Sequence, residues 1–322
     1  MIDCIDLYCG AGGLSLGLSQ AGLKLRVSVD NDADCESTYS ANFSGATFLR
    51  RDLNSLDEAD LLNHVRDRTN LVLAGGPPCQ LFSRLNRHPA ENTDGIRSYV
   101  RLVRRIQPAY VVFENVPAIT KQGVAWDYLL RALKRLKYKV TYRIMKAVDF
   151  GVPQQRERMI VLAARESIAL PDGTVPHRTV RDAIGHLPDE SSEILNHRGM
   201  TLAKENLRKI KRLKPGGNSR RKRTSFADSY ARMNWDAPAP TMTTKCISFS
   251  NGRFGHPEYH RGLTVREAAN IQGFPESFEF RGSLWSCARQ VGNAVPPPIA
   301  KALGVAIKKH VSQRKRNHRR VA

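Results

Sequence analysis

The sequence predicts an α/β protein: a parallel sheet covered by helices on both faces, joined to a smaller, irregular second domain. Two observations carry this. Through about residue 164, short apolar runs alternate with amphipathic stretches, the signature of strand–helix repeats. From there to about residue 250 the rhythm fails, and Pro, Gly, Ser and basic runs take over. The 322 residues allow one large domain or two unequal ones at ~100–200 residues per domain. With 41% hydrophobic and 25% charged residues, the chain can bury a core, which excludes global disorder.

In order, Ile2–Leu7 reads as a strand, Cys9–Gly13 as a turn, and the next helix carries Leu14, Leu18 and Ala21 on one face before Gly22 stops it. Val27–Val29 is a second strand, ending at Asp30. Further strands are expected at Ala46–Leu49, Leu71–Ala74 and Tyr110–Phe113. The helix before the last has Ile96, Val100, Val103 and Ile106 on its buried side. In the irregular region, Phe226, Tyr230, Met233, Trp235 and Phe249 offer a small core. Thr264 and Glu267 form a capping box for a short helix that Gly273-Phe-Pro275 ends. A last helix begins near Pro296–Pro298 with Ile299, Leu303, Ala306 and His310 along one face.

Charge points to a polyanion. Lys+Arg 51 against Asp+Glu 30 leaves +21. Lys204–Arg223 holds ten basic residues against Glu205 alone, and Lys308–Arg320 holds seven with no acid. Such a field suits phosphates, and displaced counterions would make binding salt-dependent. The basic tail after Lys308 is expected to be mobile. No apolar run approaches the ~18 residues that cross a bilayer, so a soluble, unexported protein is expected. The six cysteines show no zinc spacing, so no metal is expected, and all but Cys79 read as small packing residues.

Three segments could carry chemistry. Leu7-Tyr8-Cys9-Gly10-Ala11-Gly12-Gly13 is a glycine-rich turn, with Asp30 twenty residues after Gly10 at the end of the next strand, where an acid can hold ribose hydroxyls. That pattern admits both NAD and S-adenosylmethionine, and an ordinary tight turn as well. Gly75-Gly-Pro-Pro-Cys-Gln80 follows a buried strand, which brings Cys79 to the carboxyl edge of the sheet; two prolines stiffen the approach, and a packing cysteine needs none of this. Tyr110–Phe113 delivers Glu114 to the same edge. A thiol and a carboxyl there suit cytosine chemistry: thiolate addition at ring C6 makes C5 nucleophilic, and an acid at N3 relieves the charge.

These residues carry a resemblance. The sequence is similar to the cytosine-C5 DNA methyltransferases across nearly its whole length, with six motifs in the family's order. They are Asp6–Gly13, Gly76–Gln80 with Phe82 and Ser83, Glu114-Asn115-Val116, Pro153–Arg158, Leu263–Pro275 and Gln290–Pro296. The resemblance implies a Rossmann-like S-adenosylmethionine-dependent methyltransferase sheet. Its cofactor would be S-adenosyl-L-methionine, leaving S-adenosyl-L-homocysteine. It implies Cys79 as nucleophile, Glu114 at N3, Asn115 bracing the Pro-Cys loop, Arg158 on cytosine O2 and Arg156 supporting the site. Tyr8, Gly10, Gly12, Asp30, Asn31, Asp52 and Asn293 would line the cofactor pocket, Asp30 on the ribose and Asp52 near the adenine amino group. Tyr8 stands where the family usually has Phe, Asp30 where Glu is commoner, and Asn31 where an apolar residue is frequent; none touches Cys79 or Glu114.

The resemblance also implies an organisation: a catalytic and cofactor domain at 1–164, a target-recognition domain at 165–275 and a return to the catalytic domain at 276–322. Double-stranded DNA is the expected partner of a cytoplasmic, nucleoid-associated monomer, and a restriction endonuclease acting on the same site is a candidate partner. Phosphate contacts are assigned to Lys209, Lys211, Arg212 and Lys214, and further DNA contacts to Gln80, Ser83, Thr241 and Thr243. The two arginines could equally form a surface ladder, and the threonines could simply cap or build strands. Three rivals stay open: an RNA (tRNA) cytosine methyltransferase on the same scaffold, a catalytically inactive DNA-binding relative and, least favoured, a nicotinamide dehydrogenase.

Overall fold

The structure is a computed structural model that describes residues 1–78, 94–121, 123–218 and 229–321. It divides into two compact units. The first comprises Met1–Met145, Glu157–Asp172 and Ile299–Ala322; the second comprises Lys146–Arg156 and Gly173–Pro298. The chain thus enters the second unit once before residue 164, through Lys146–Arg156, and leaves it at Pro298 rather than near 275.

Unit one is built from β1 (Asp3–Leu7), α1 (Gly13–Gln20), β2 (Lys24–Asp30), α2 (Ala33–Asn42), β3 (Thr47–Arg50), α3 (Glu58–Leu62), β4 (Val72–Gly75), α4 (Asp94–Ile106), β5 (Tyr110–Asn115), α5 (Gly123–Arg135) and β6 (Lys139–Lys146). After β7 (Gln154–Gln155) of the second unit, β8 (Glu157–Ala164) rejoins the first. Its seven strands lie in the order β3-β2-β1-β4-β5-β8-β6. Strands β1 to β5 pair in parallel, as the strand–helix alternation requires, but β8 runs antiparallel to β5. This corrects the expectation of a purely parallel sheet. A parallel strand needs a long crossover, usually helical, and the short link between β6 and β8 contains no α-helix.

The sheet is buried because its strands are apolar on both faces: Leu73, Val111, Phe113 and Val161 on one face and Val72, Val112, Ile160 and Leu162 on the other are all inaccessible to solvent. Helix α4 presents Ile96, Tyr99, Val100 and Val103 to this core, at the helical spacing read from the sequence. The order reverses at β1, whose neighbours β2 and β4 are reached by chain leaving in opposite directions. In open α/β sheets, ligand crevices form at the carboxyl ends of strands at such a point.

Unit two holds α6 (Val180–Ile184), α7 (Lys204–Lys211), β9 (Ala239–Pro240), α8 (Val265–Gln272) and α9 (Leu284–Asn293). Thr264 caps α8, its hydroxyl accepting from the Glu267 amide at 3.1 Å while the Glu267 carboxylate accepts from the Thr264 amide at 2.7 Å. Gly273, at φ 90°, ends the helix. Met233 and Phe249 are buried, Tyr230 and Trp235 are half-buried, and Phe226 lies outside the described residues.

Helix α10 (Pro297–Val321) closes the chain. The basic tail is therefore helical, not a mobile extension, because Ile307 and Val311 continue the buried stripe begun by Ile299 and Leu303. Among the described residues, no helix is long and apolar enough to cross a membrane.

Candidate active site

The turn after β1 is built from unusual backbone. Tyr8, Gly10 and Gly12 have φ of 58°, 53° and 92°. Gly12 has a second reason to be glycine, since a Cβ there would lie 2.6 Å from the Phe43 ring. Gly10 meets nothing within 4 Å, so its conformation demands glycine and its surroundings leave room for a ligand. Asp30 closes the turn: its carboxylate accepts from the Gly10 amide at 2.9 Å and from the Asp32 amide at 3.1 Å. Burial pushes the Asp30 carboxyl up, and those two amides pull it back. Asp52 caps a short 3₁₀ turn by accepting from the Asn54 amide at 2.7 Å. Arg101 of α4 ties that turn down through the Leu53 and Leu56 carbonyls. Asn31 is exposed beside Asp30.

Asp6 had no role in the sequence reading. It is fully buried at the end of β1, one oxygen accepting from Ser15 at 2.6 Å and the other without a hydrogen bond. Burial raises its carboxyl to about 7. Tyr39 donates to Ser15 and contacts Ser28 at 2.6 Å, so a buried hydroxyl chain anchors the glycine turn. A second acid, after Asp3, within a short strand otherwise made of apolar residues was the available signal.

At the end of β5, Glu114 is 8% exposed and pairs with Arg158, Nε to Oε1, at 2.8 Å. The register explains the contact. Glu114 faces Ile160 across the antiparallel pair, so Arg158, two residues along β8, is a diagonal neighbour on the same face. Burial lowers the Arg158 guanidinium, and the Glu114 charge acts against that shift. The second carboxylate oxygen lies over Gly76, where a Cβ would approach it to 2.8 Å. Asn115 donates to the Pro77 carbonyl at 3.1 Å and accepts from the Val116 amide at 2.9 Å. Glu114, Arg158 and Asn115 are thereby gathered against the Gly76-Pro77 segment that leads to Cys79. Cys79, Gln80 and Ser83 themselves lie outside the described residues.

Arg156 behaves differently. It is fully buried in unit two and donates to the Met242, Gly292 and Ala294 carbonyls, each at 2.9 Å. Two arginines at alternate positions thus form no surface ladder. Gly292 admits the close approach of Thr243, whose carbonyl oxygen would sit 2.2 Å from a Cβ there. Thr241 donates to the Gln155 carbonyl at 2.5 Å, and the Thr243 hydroxyl accepts from the Lys245 amide at 3.2 Å. Asn293 is the last residue of α9. Lys211, Arg212 and Lys214 are exposed, whereas Lys209 pairs with Glu205 at 2.7 Å and lies 4.3 Å from the Tyr230 ring centroid.

A sheet with a glycine turn at its reversal point and an acid ending the next strand defines a Rossmann-like α/β protein. The chain belongs, more narrowly, to the C-5 cytosine-specific DNA methylase family, whose model matches residues 2–309. It is 33% identical to the type II methylase M.HgiDII of Herpetosiphon aurantiacus, covering 95% of this chain and 94% of that one. It is 36% identical to the type II methyltransferase M1.HphI of Haemophilus parahaemolyticus, covering 95% and 86%. Among solved structures, a prophage-encoded DNA modification methyltransferase of E. coli superposes with a TM-score of 0.82 at 23% identity, covering 97% of this chain and all of that one. The S. pombe Dnmt2 methyltransferase does so with 0.70 at 18%, covering 97% and 99%. At those identities the two structures speak for the fold.

Proposed function

We propose that this chain is a type II modification methyltransferase that transfers a methyl group from S-adenosylmethionine to C5 of a cytosine in a specific duplex DNA site. The observation that carries the reading is the Glu114–Arg158 pair set against Gly76, with Asn115 holding Pro77 two residues before Cys79. The turn fits the cofactor: open space over Gly10 and a carboxylate fastened by the Gly10 amide suit a nucleoside with free ribose hydroxyls. Asp30 would hold the ribose and Asp52 the adenine amino group, with Tyr8, Gly12, Asn31 and Asn293 as further contacts. When bound, the cofactor supplies an electrophilic methyl group.

The chain's own residues prepare the base. The Cys79 thiolate adds to C6, forming the S–C6 bond, while N3 gains a proton or a strong hydrogen bond at Glu114 and C5 becomes enamine-like. Arg158 fixes the Glu114 carboxylate through Nε, leaving its other oxygen over Gly76. After methylation, the C5 proton is lost to solvent, its bond electrons form the C5–C6 double bond as the S–C6 bond breaks and releases the thiolate, and N3 returns its proton to Glu114, restoring the aromatic ring. The thiol must reach the ring face and the acid the pairing edge, so the cytosine has to leave the stack. Lys211, Arg212 and Lys214 would supply phosphate contacts, and Thr241 and Thr243 would contact the DNA.

The test is bisulfite sequencing of DNA from a methylation-free host expressing the chain, with Cys79→Ala as control. Methylcytosine confined to one sequence context, and abolished in the variant, is expected. Retained methylation in Cys79→Ala, or transfer by purified protein to RNA and not to duplex DNA, would overturn the proposal.

A further inference from the structure

One group of exposed basic residues of unit one lies at the edge of the sheet opposite Glu114. Tyr110 starts β5 and Glu114 lies four residues on, about 13 Å away at ~3.3 Å per residue. At the Tyr110 end, its hydroxyl meets His310 Nδ1 of α10 at 2.8 Å, and Arg314 pairs with Glu166 at 2.8 Å just beyond β8. These contacts, with buried Ile307 and Val311, pin the end of α10 along that edge and leave Lys309, Lys315 and Arg316 exposed. Arg66 and Arg68 are exposed in the loop entering β4, at the same edge, where the Arg66 amide donates to Asp3 at 2.8 Å. Helices α4 and α5 also finish here, with exposed Arg104, Lys134 and Arg135 in their last turns.

Nearby acids offset only part of this charge. Asp3 is buried against Arg26 at 3.0 Å, and Glu166 is held by Arg314. Asp67, whose carboxylate accepts from the Thr69 amide at 2.8 Å, offsets part of the Lys315 charge, and Arg105 pairs with Asp57 and Glu58. Local aromatic rings are already covered: Arg165 lies 4.2 Å over the Tyr138 ring centroid and Arg104 5.7 Å over that of Tyr128. Single-stranded nucleic acid is bound through open aromatic faces on which bases stack, and none is offered here among the described residues. A rigid basic surface without stacking platforms suits the phosphate backbone of a duplex.

We infer that this edge is a second, sequence-independent duplex DNA surface, engaging a segment separate from the one presented to Glu114. One straight duplex cannot lie against both edges of the same sheet. A chain holding a second segment can move between DNA segments without full release, which is the function the arrangement would serve.

The test uses the full chain and two variants. One replaces Arg66, Arg68, Lys309, Lys315 and Arg316 with Gln; the other replaces Lys204, Arg208 and Lys211 of α7 with Gln. At low salt, the wild type should bind two short non-specific duplexes per chain by sedimentation and the first variant one, whereas the α7 variant should weaken the first step and keep the second. The log–log salt slope of the second binding step should lose about 0.9 per phosphate contact removed. Methylation of a short duplex should be unchanged in the first variant, while successive methylation along one long DNA falls several-fold. Unaltered thermal melting excludes misfolding as the cause. Two duplexes still bound by the first variant, or wild-type preference at this step for single-stranded RNA, would overturn the inference. Duplex counting does not depend on methyl transfer, so its failure is distinguishable from failure of the proposed activity.

Discussion

The two units solve the same problem with different groups. Unit one satisfies its backbone through strand ladders and helices, and its interior is Val, Leu, Ile and aromatic side chains. Unit two has few regular elements, so many of its carbonyls find no ladder partner, and buried guanidiniums take that place. Arg156 serves three carbonyls, Arg266 serves those of Leu195, Pro275 and Phe278, and Arg232 serves those of Ile210, His256 and Tyr259. A guanidinium carries five N–H donors in a planar fork, which lets one side chain gather several irregular strands of backbone. Irregular chain can thus be well ordered without a large apolar core. The basic composition has two sources: a share of the arginines is internal scaffolding, and the remainder faces solvent.

If the contrast is right, the largest effects separate cleanly. Glu114→Gln should slow single-turnover methyl transfer ~10²–10⁴-fold, because Gln can donate a hydrogen bond to N3 but cannot transfer a proton. Calorimetric affinity for S-adenosylmethionine should change little. Equal rates would move Glu114 out of the acid role. Arg156→Met should cost unit two about 3–5 kcal/mol in denaturant unfolding, since three buried carbonyls lose their partner. Phe113→Ala should cost unit one a similar ~3–5 kcal/mol through cavity formation. A loss below ~1 kcal/mol for Arg156→Met would break the comparison.

The units should also respond to pH with opposite sign. Asp6 in unit one is raised to about 7 by burial, from ~3.9 in an unfolded chain, so the folded state binds the extra proton between those values. Its contribution to stability falls as pH rises from ~4 to ~7, and Asp6→Asn should flatten that decline in thermal melts. His256 in unit two is lowered to about 3, first by burial and then by Arg261 and Arg232. Its Nδ1 accepts from the Glu258 and Tyr259 amides, which only a neutral ring allows; Glu267, 3.5 Å from Nε2, favours the charged ring, but its carboxylate is already bound twice by Arg261. Here the unfolded chain binds the extra proton, so stability rises with pH from ~3 to ~6.5, and His256→Gln should flatten the acid limb. Unchanged profiles in both variants would refute the assignment. The smallest effect is Thr264→Ala, about 1 kcal/mol from loss of the α8 cap. A loss several times larger would mean that the His197 contact to the same hydroxyl, at 3.0 Å, matters more than the cap.

What local pattern dictates was legible in the sequence. The strand–turn–helix run through Asp30, the buried stripe of α4, the Thr264 cap and the Gly273 stop all follow from residues within a few positions of one another, as does the placing of Glu114 at a strand end. The antiparallel insertion of β8 was not, because strand direction depends on how a distant excursion returns and leaves no mark in strand composition. The diverging fates of Arg156 and Arg158 were hidden for the same reason. Both are arginines on alternate positions, and only the partners brought by folding decide that one binds three carbonyls of unit two and the other Glu114. The tail shows the same limit: its charge was plain in the sequence, but its helical order rests on Ile307, Val311, the Tyr110–His310 contact and the Arg314–Glu166 pair. Sequence determines which groups a segment carries and its local conformation. The tertiary structure decides which of those groups meet, because burial and charge pairing act between residues far apart along the chain.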